Sequence, residues 1–258
     1  MSVLNFYSII AFALLPTGLV YAQNSTGGQA SADLGAVMNQ RTHTLSLGAG
    51  WHTFTDEYTA NFRWSALSPV LRWKTERHNA TTGNISQLNV QYQYTRFNHP
   101  VLPERVPVQF TSHKAVIDYN RLWNVAEPHW FIGLNLSINL HYRLNDFLAN
   151  GGETYDGLAS LGVVTEYRNC WSNGHQVIAH LRLPLASFVA RPNYDYLNSV
   201  FSVGTLNRAI NPMFQLSYHV PWSRRRVGVT YRADYYRIVS SHRKVFNATQ
   251  NLLLDFTF

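Results

Sequence analysis

Eleven histidines and fourteen acidic residues supply the chemistry-bearing types, and those falling between patterned segments are the first candidates. Asp56, Asp146, Asp156 and Asp195, with His52, His99 or His242, would suit acid–base hydrolysis, in which a positioned group activates water. Ser240-Ser241-His242 offers a hydroxyl and a base, the start of a covalent hydrolase. Adjacent residues on a strand point to opposite faces, however, so this triplet does not pair within itself. Ser172-Asn173-Gly174-His175 has the same types, but Asn-Gly is a good turn former. His141, His180 and His219 are the metal-ligand candidates, and a site would need them at one height. The reading preferred is structural: these histidines are hydrogen-bonded, and no metal, cofactor or catalytic residue is expected.

The elements that would position these groups are strands. From Trp130 to Leu144, Trp130, Ile132, Leu134, Leu136, Ile138, Leu140, Tyr142 and Leu144 share one face. Gly133, Asn135, Ser137, Asn139, His141 and Arg143 share the other. Strict alternation marks a strand, and this one is two to three times the usual soluble length of roughly five or six residues. The pattern recurs along Leu88–Tyr94, Val177–Leu185, Phe214–Val220 and Val227–Asp234.

Ten strands are read: Arg41–Phe54, Leu67–Arg77, Ile85–Phe97, Phe110–Val125, His129–Leu144, Leu158–Asn169, His175–Phe188, Pro212–Pro221, Arg226–Ile238 and Asn247–Phe258. Eight or twelve would fit if Tyr58–Trp64 and Tyr196–Leu206 were counted differently. His113 and Arg121 share a face with Ile117 and Tyr119, which makes the fourth strand the least regular. The even connections are short, and the odd ones are generally longer and richer in Pro, Gly and charge, as at Val189–Asn211. Trp73, Trp123, Trp130, Trp171 and Trp222 lie beside the short turns and read as a membrane-interface girdle. Trp51 and Trp64 lie nearer the other end. A soluble β-sandwich alternates too, but strand length, turn asymmetry and the tryptophans favour a transmembrane barrel.

Composition narrows the classes further. The 258 residues are 46% apolar and only 14% charged, yet mean hydropathy is −0.18. That combination excludes a disordered chain and, without long apolar runs, a helical membrane protein. Met1–Ala22 is uncharged, with an apolar run at Ile9–Leu15 and Val20-Tyr21-Ala22 as a cleavage site. It reads as a signal peptide, followed by a flexible periplasmic leader, Gln23–Gln40, and a barrel domain over residues 41–258. Cys170 is the one cysteine, so no internal disulfide framework is expected.

The C-terminus ends Leu252-Leu253-Leu254-Asp255-Phe256-Thr257-Phe258, with Leu252, Leu254, Phe256 and Phe258 on one face. Together with the long alternating strands, it resembles bacterial outer-membrane β-barrels and is similar to their C-terminal assembly signal. The resemblance implies an all-β, closed, antiparallel up-and-down barrel of about ten strands in the outer membrane of a Gram-negative bacterium. It also implies outer-membrane lipid, lipopolysaccharide and the barrel-assembly machinery as partners. Omptin-like proteases share the strand count and use carboxylates with a His at the outer rim, but no local motif matches them.

Turning the polar face of each strand inward collects Arg72, Lys74, Glu76, Lys114, Asp118, His141, Arg143, Glu166, Arg168, His180, Arg182, His219, Arg232, Asp234 and Asp255. Small barrels are filled by side chains, so a cross-linked polar interior is expected, and its basic excess would favour anions in any water-filled pocket. The net charge of +7 is read as Arg224–Arg226 on a short turn and Arg191, Arg208, Arg243 and Lys244 on outer loops. Nucleic acid is not expected, because the aromatics that would stack on bases are assigned to lipid-facing rows. The function expected is a non-enzymatic barrel that anchors or presents surface loops or serves an envelope complex. A small anion-preferring, porin-like pore and an outer-rim hydrolase are the alternatives.

Overall fold

The computed structural model describes residues 41–56, 60–79, 81–98, 109–126, 129–145, 153–191, 200–205, 209–223, 225–240 and 243–258. The signal-peptide and leader segments, with His99, Asp146, Asp195, Arg208, Arg224, Ser241 and His242, lie outside the described residues. Twelve strands follow in order: β1 Arg41–Asp56, β2 Ala60–His78, β3 Ile85–Asn98, β4 Gln109–Ala126, β5 Trp130–Asn145, β6 Glu153–Cys170, β7 Gln176–Arg191, β8 Val200–Thr205, β9 Ala209–Ile210, β10 Met213–Trp222, β11 Arg225–Ser240 and β12 Arg243–Thr257.

These twelve segments fill ten places in a closed antiparallel barrel. Each of β1 to β7 pairs with the next, β10 bridges β7 and β11, and β12 pairs with both β11 and β1. The short β8 continues the ladder on β7 beyond β10, and β9 does the same on β11. At the seam, His43 N donates to Phe258 O at 2.9 Å and Phe258 N to His43 O at 2.8 Å. Closure of this kind removes the free edges that hydrocarbon could not hydrogen-bond.

The strands outrun the sequence reading at one end. Residues from Ala60 belong to β2, so that stretch extends an existing strand. Only residues 57–59 separate β1 from β2, and 241–242 separate β11 from β12. Two of the odd connections are therefore short, because their strands carry the chain farther out. A strand of 16 residues, at about 3.4 Å per residue and about 40° tilt, rises ~40 Å against an apolar band of ~25 Å.

Beyond the band, water bathes the outer surface, and the side-chain pattern inverts. Arg63, Ser65 and Arg96 point out and are exposed, while Phe54, Trp64, Phe97 and Phe110 point in and are buried. With Leu158, Val189, Ala209, Tyr236, Ile238 and Val245 they form an apolar core inside the outer end. The Phe54 and Phe110 rings stack at 5.8 Å and those of Trp64 and Phe110 at 5.6 Å. The aromatics are thus not all committed to lipid, and Trp64 is an interior residue. Phe97 is fully buried in this core. Phe97→Ala is expected to cost about 3–5 kcal/mol, measured as a lowered urea midpoint for protein refolded in phospholipid vesicles.

A bulge in β7 resets its phase. Gly162 faces Pro184, but Leu161 faces Ala186, leaving Leu185 as the extra residue. His180 and Arg182 point inward below it, and Ser187, Val189 and Arg191 point inward above it. Arg191, expected on an outer loop, is therefore a buried lumen residue.

Candidate functional site

The ten strands converge their inward side chains on the lumen, where the described ones form stacked clusters across it. Near the short turns, Ile85, Leu122, Phe131 and Val164 form a buried apolar floor. Against it, Arg168 clamps Glu76 with two hydrogen bonds of 2.7 Å, one to each carboxylate oxygen, and also bonds Glu166. Two parallel N–H donors on one carboxylate add direction as well as charge pairing. Gln87 Nε2 donates to Glu76 at 3.0 Å and Glu166 at 2.9 Å, and Lys74 lies 3.1 Å from Glu76. His180 Nδ1 meets Glu166 at 2.9 Å.

Farther in, Arg72 donates to Asp255 at 2.8 Å, to Ser46, and across the lumen to Gln215 at 3.0 Å. His219 lies 3.1 Å from the same Asp255. Asp118 holds the central position. It accepts from Arg182, from Arg232 at 3.0 Å and from Asn89 at 3.2 Å, drawing β3, β4, β7 and β11 together. Arg232 also grips Asp234, at 2.7 and 2.8 Å.

Arg182 Nη2 reaches Asn211 as well, at 3.1 Å to its side chain and 3.3 Å to its carbonyl. The returning end of the long connection joins the barrel wall through β9 and β10, with Ala209, Asn211, Pro212 and Met213 buried. Above it, Lys114 crosses the lumen to Asn247 at 3.1 Å.

The outermost ionic cluster was not legible as such. Arg143 lies 2.8 Å from Asp156 and 3.5 Å from Asp56, while Arg191 lies 2.6 Å from Asp56 and 3.3 Å from Asp156. All four are buried. Asp56 and Asp156, the rim carboxylates considered for hydrolysis, are instead each held between two guanidiniums. With Asp56, Asp156 and Arg191 included, the basic excess on which an anion preference would rest is halved.

One further arrangement has catalytic residue types. His141 Nε2 bonds the Ser112 hydroxyl, and its Nδ1 meets Tyr236 Oη at 2.7 Å. Beside it, His52 bonds Thr95 at 2.7 Å and accepts from Asn247 at 2.6 Å. A Ser–His pair steered by a third group can generate a nucleophile. Here all three side chains are buried, and the Phe54 ring packs edge-on to His141 at 5.3 Å, so the hydroxyl is shut off from solvent. Among the described residues, no group of three or more His, Cys, Asp or Glu side chains could hold a metal ion. His141, His180 and His219 sit in three separate clusters.

A void of about 20 Å³ lies among Lys74, Asn89, Asp118, His180 and Gln215, room for about one water. Outside, Leu252, Leu254, Phe256 and Phe258 are exposed along β12, as are Trp123, Trp130, Trp171 and Trp222 near the short turns. Trp73 is half-buried, against His43 at 5.9 Å, whose other face meets Phe258.

No family model and no curated protein matches the sequence. Among solved structures, the outer membrane protease OmpT from Escherichia coli is similar over 85% of this chain and 96% of its own, with TM-score 0.53 and 7% identity. The translocator domain of the autotransporter NalP from Neisseria meningitidis is similar over 85% and 89%, with TM-score 0.38 and 9% identity. At such identity the likeness to OmpT is one of fold, and the architecture is that of a bacterial outer-membrane β-barrel.

Proposed function

We propose that this chain is a non-enzymatic barrel of the outer membrane, exported by its N-terminal segment, whose solid interior makes it an anchor for its outer connections. Residues 99–108, 146–152 and 192–199 are the connections it would present at the surface or to an envelope partner. The observation that carries this reading is the lumen itself, in which Arg72–Gln215 and Lys114–Asn247 contacts span the barrel between two apolar layers. A conducting path would have to break several buried charge pairs at once, each costly to separate. The hydrolase reading loses support because Asp56 and Asp156 are paired with arginines and Ser112 is sealed.

Planar-bilayer recording on the refolded protein tests the proposal, alongside incubation with peptides and phospholipids. The expected result is a silent bilayer and unchanged substrates. Reproducible single-channel steps with anion selectivity would replace the anchor with a pore, and product formation would replace it with an enzyme.

A further inference from the structure

At the short-turn end, the outward face of β1 to β4 carries an arrangement that folding does not require. Arg41 and Arg77 stand directly opposite one another across β1 and β2. Arg77 is opposite Ser86 on β3, and Ser86 is opposite Arg121 on β4. The three guanidiniums therefore lie along one row, outside the barrel and apart from the lumen network. Like charges directly opposite on adjacent strands are destabilising, and the outward positions of these four strands include no Asp or Glu to offset them.

The row borders a surface pocket of about 390 Å³ lined by Arg41, Arg77, Ser86, Leu88 and Tyr119. Arg41 Nε donates to Thr75 at 3.3 Å, and Arg121 donates to the Ser86 hydroxyl, so two of the cations are fixed in place. On the membrane side of the row Tyr119 is exposed, while Trp123 is exposed on its turn side. The pocket thus has a cationic rim toward the turns and an apolar floor toward the hydrocarbon. Arg121 sits among lipid-facing residues, where a cation is costly unless it reaches an anion or the interface.

We infer that this pocket binds the headgroup phosphate of an anionic glycerophospholipid, with Leu88 and Tyr119 against its acyl chains. Guanidiniums suit phosphate because their planar forks match its oxygens bidentately. The inference rests on the outer-membrane reading for its leaflet. Short turns face the periplasm in such barrels, so the pocket meets the inner, phospholipid leaflet and not the lipopolysaccharide one.

Native mass spectrometry of the full refolded protein, with phosphatidylglycerol or phosphatidylcholine of the same chains added, tests it. Wild type is expected to retain phosphatidylglycerol preferentially. Each Arg→Gln change at 41, 77 or 121 should weaken that retention about fivefold, and the triple variant on the order of a hundredfold. Heat-dependent gel mobility establishes that the variants are folded. Arg63→Gln with Arg237→Gln, at the opposite end, should leave retention unchanged.

Equal retention of both lipids by wild type, or undiminished preference in the triple variant, would overturn the inference. So would displacement of the lipid by millimolar inorganic phosphate, or stronger retention of lipopolysaccharide. Channel steps or hydrolysis in the experiments above would defeat the anchor proposal while leaving this lipid result standing.

Discussion

Asp118→Asn is expected to lower the stability of the folded barrel by about 3–5 kcal/mol, the range for removing one partner of a buried ion pair. Asp118 is 1% exposed and takes donors from Arg182, Arg232 and Asn89. The amide keeps the shape but removes the charge and replaces one acceptor oxygen with a donor aimed at guanidiniums. Arg232 retains Asp234, whereas Arg182 lies 3.9 Å from that carboxylate and keeps chiefly neutral partners. The loss should therefore fall on Arg182. Urea titration of protein refolded in vesicles, followed by tryptophan fluorescence, reads the change. A shift below about 1 kcal/mol would mean that the neighbouring carboxylates and amides compensate, and that the network is redundant at its centre.

Gly133→Val is expected to abolish the folded form. An added Cβ at Gly133 would stand 2.0 Å from the Arg121 carbonyl oxygen, 2.8 Å from the Arg121 carbonyl carbon and 2.9 Å from the Leu122 Cα. All three are backbone atoms of the paired strand β4. They cannot withdraw without breaking the β4–β5 ladder at Leu122, whose side chain is part of the apolar floor. Gly157 gives the contrast, because a Cβ there meets nothing nearer than 3.4 Å, and Gly157→Ala should fold normally. Samples left unheated before SDS electrophoresis should show a compact band for Gly157→Ala and for wild type, and none for Gly133→Val. A compact band of wild-type intensity for Gly133→Val would show that the ladder can shift to admit the side chain.

The central turns of each strand were legible because alternation there has one cause, lipid outside and a polar interior. Trp130 to Leu144 on β5 reads correctly to the residue, and Lys114, Asp118, Arg182 and Arg232 could be assigned inward without any knowledge of their partners. Which of them meet was not legible. Contacts such as Lys114 with Asn247 join residues more than a hundred positions apart, and their relative height depends on strand stagger, which no local pattern records.

Above the bilayer the same alternation continues with its polarity reversed, so Phe54, Phe97 and Phe110 read as lipid-facing or as strand ends when they are core. The seventh strand reads as ending at Phe188, which puts Arg191 on an outer loop, whereas β7 runs to Arg191, and its inward direction has a second cause. One extra residue at Leu185 flips every later side chain, and the Pro184 beside it signals irregularity without saying which way the phase moves.

The reversal of polarity between the two ends of the strands also fixes how deep the molecule sits. Sinking by one or two residues would drag Arg63 and Arg96 from water into the interface, at a cost of up to about 1 kcal/mol each that grows toward the midplane. Rising by the same amount would carry Leu140, the outermost of the exposed leucines on β5, toward water. The barrel therefore gauges its own immersion, and the outer connections emerge at a height set by strand chemistry and not by their own sequences.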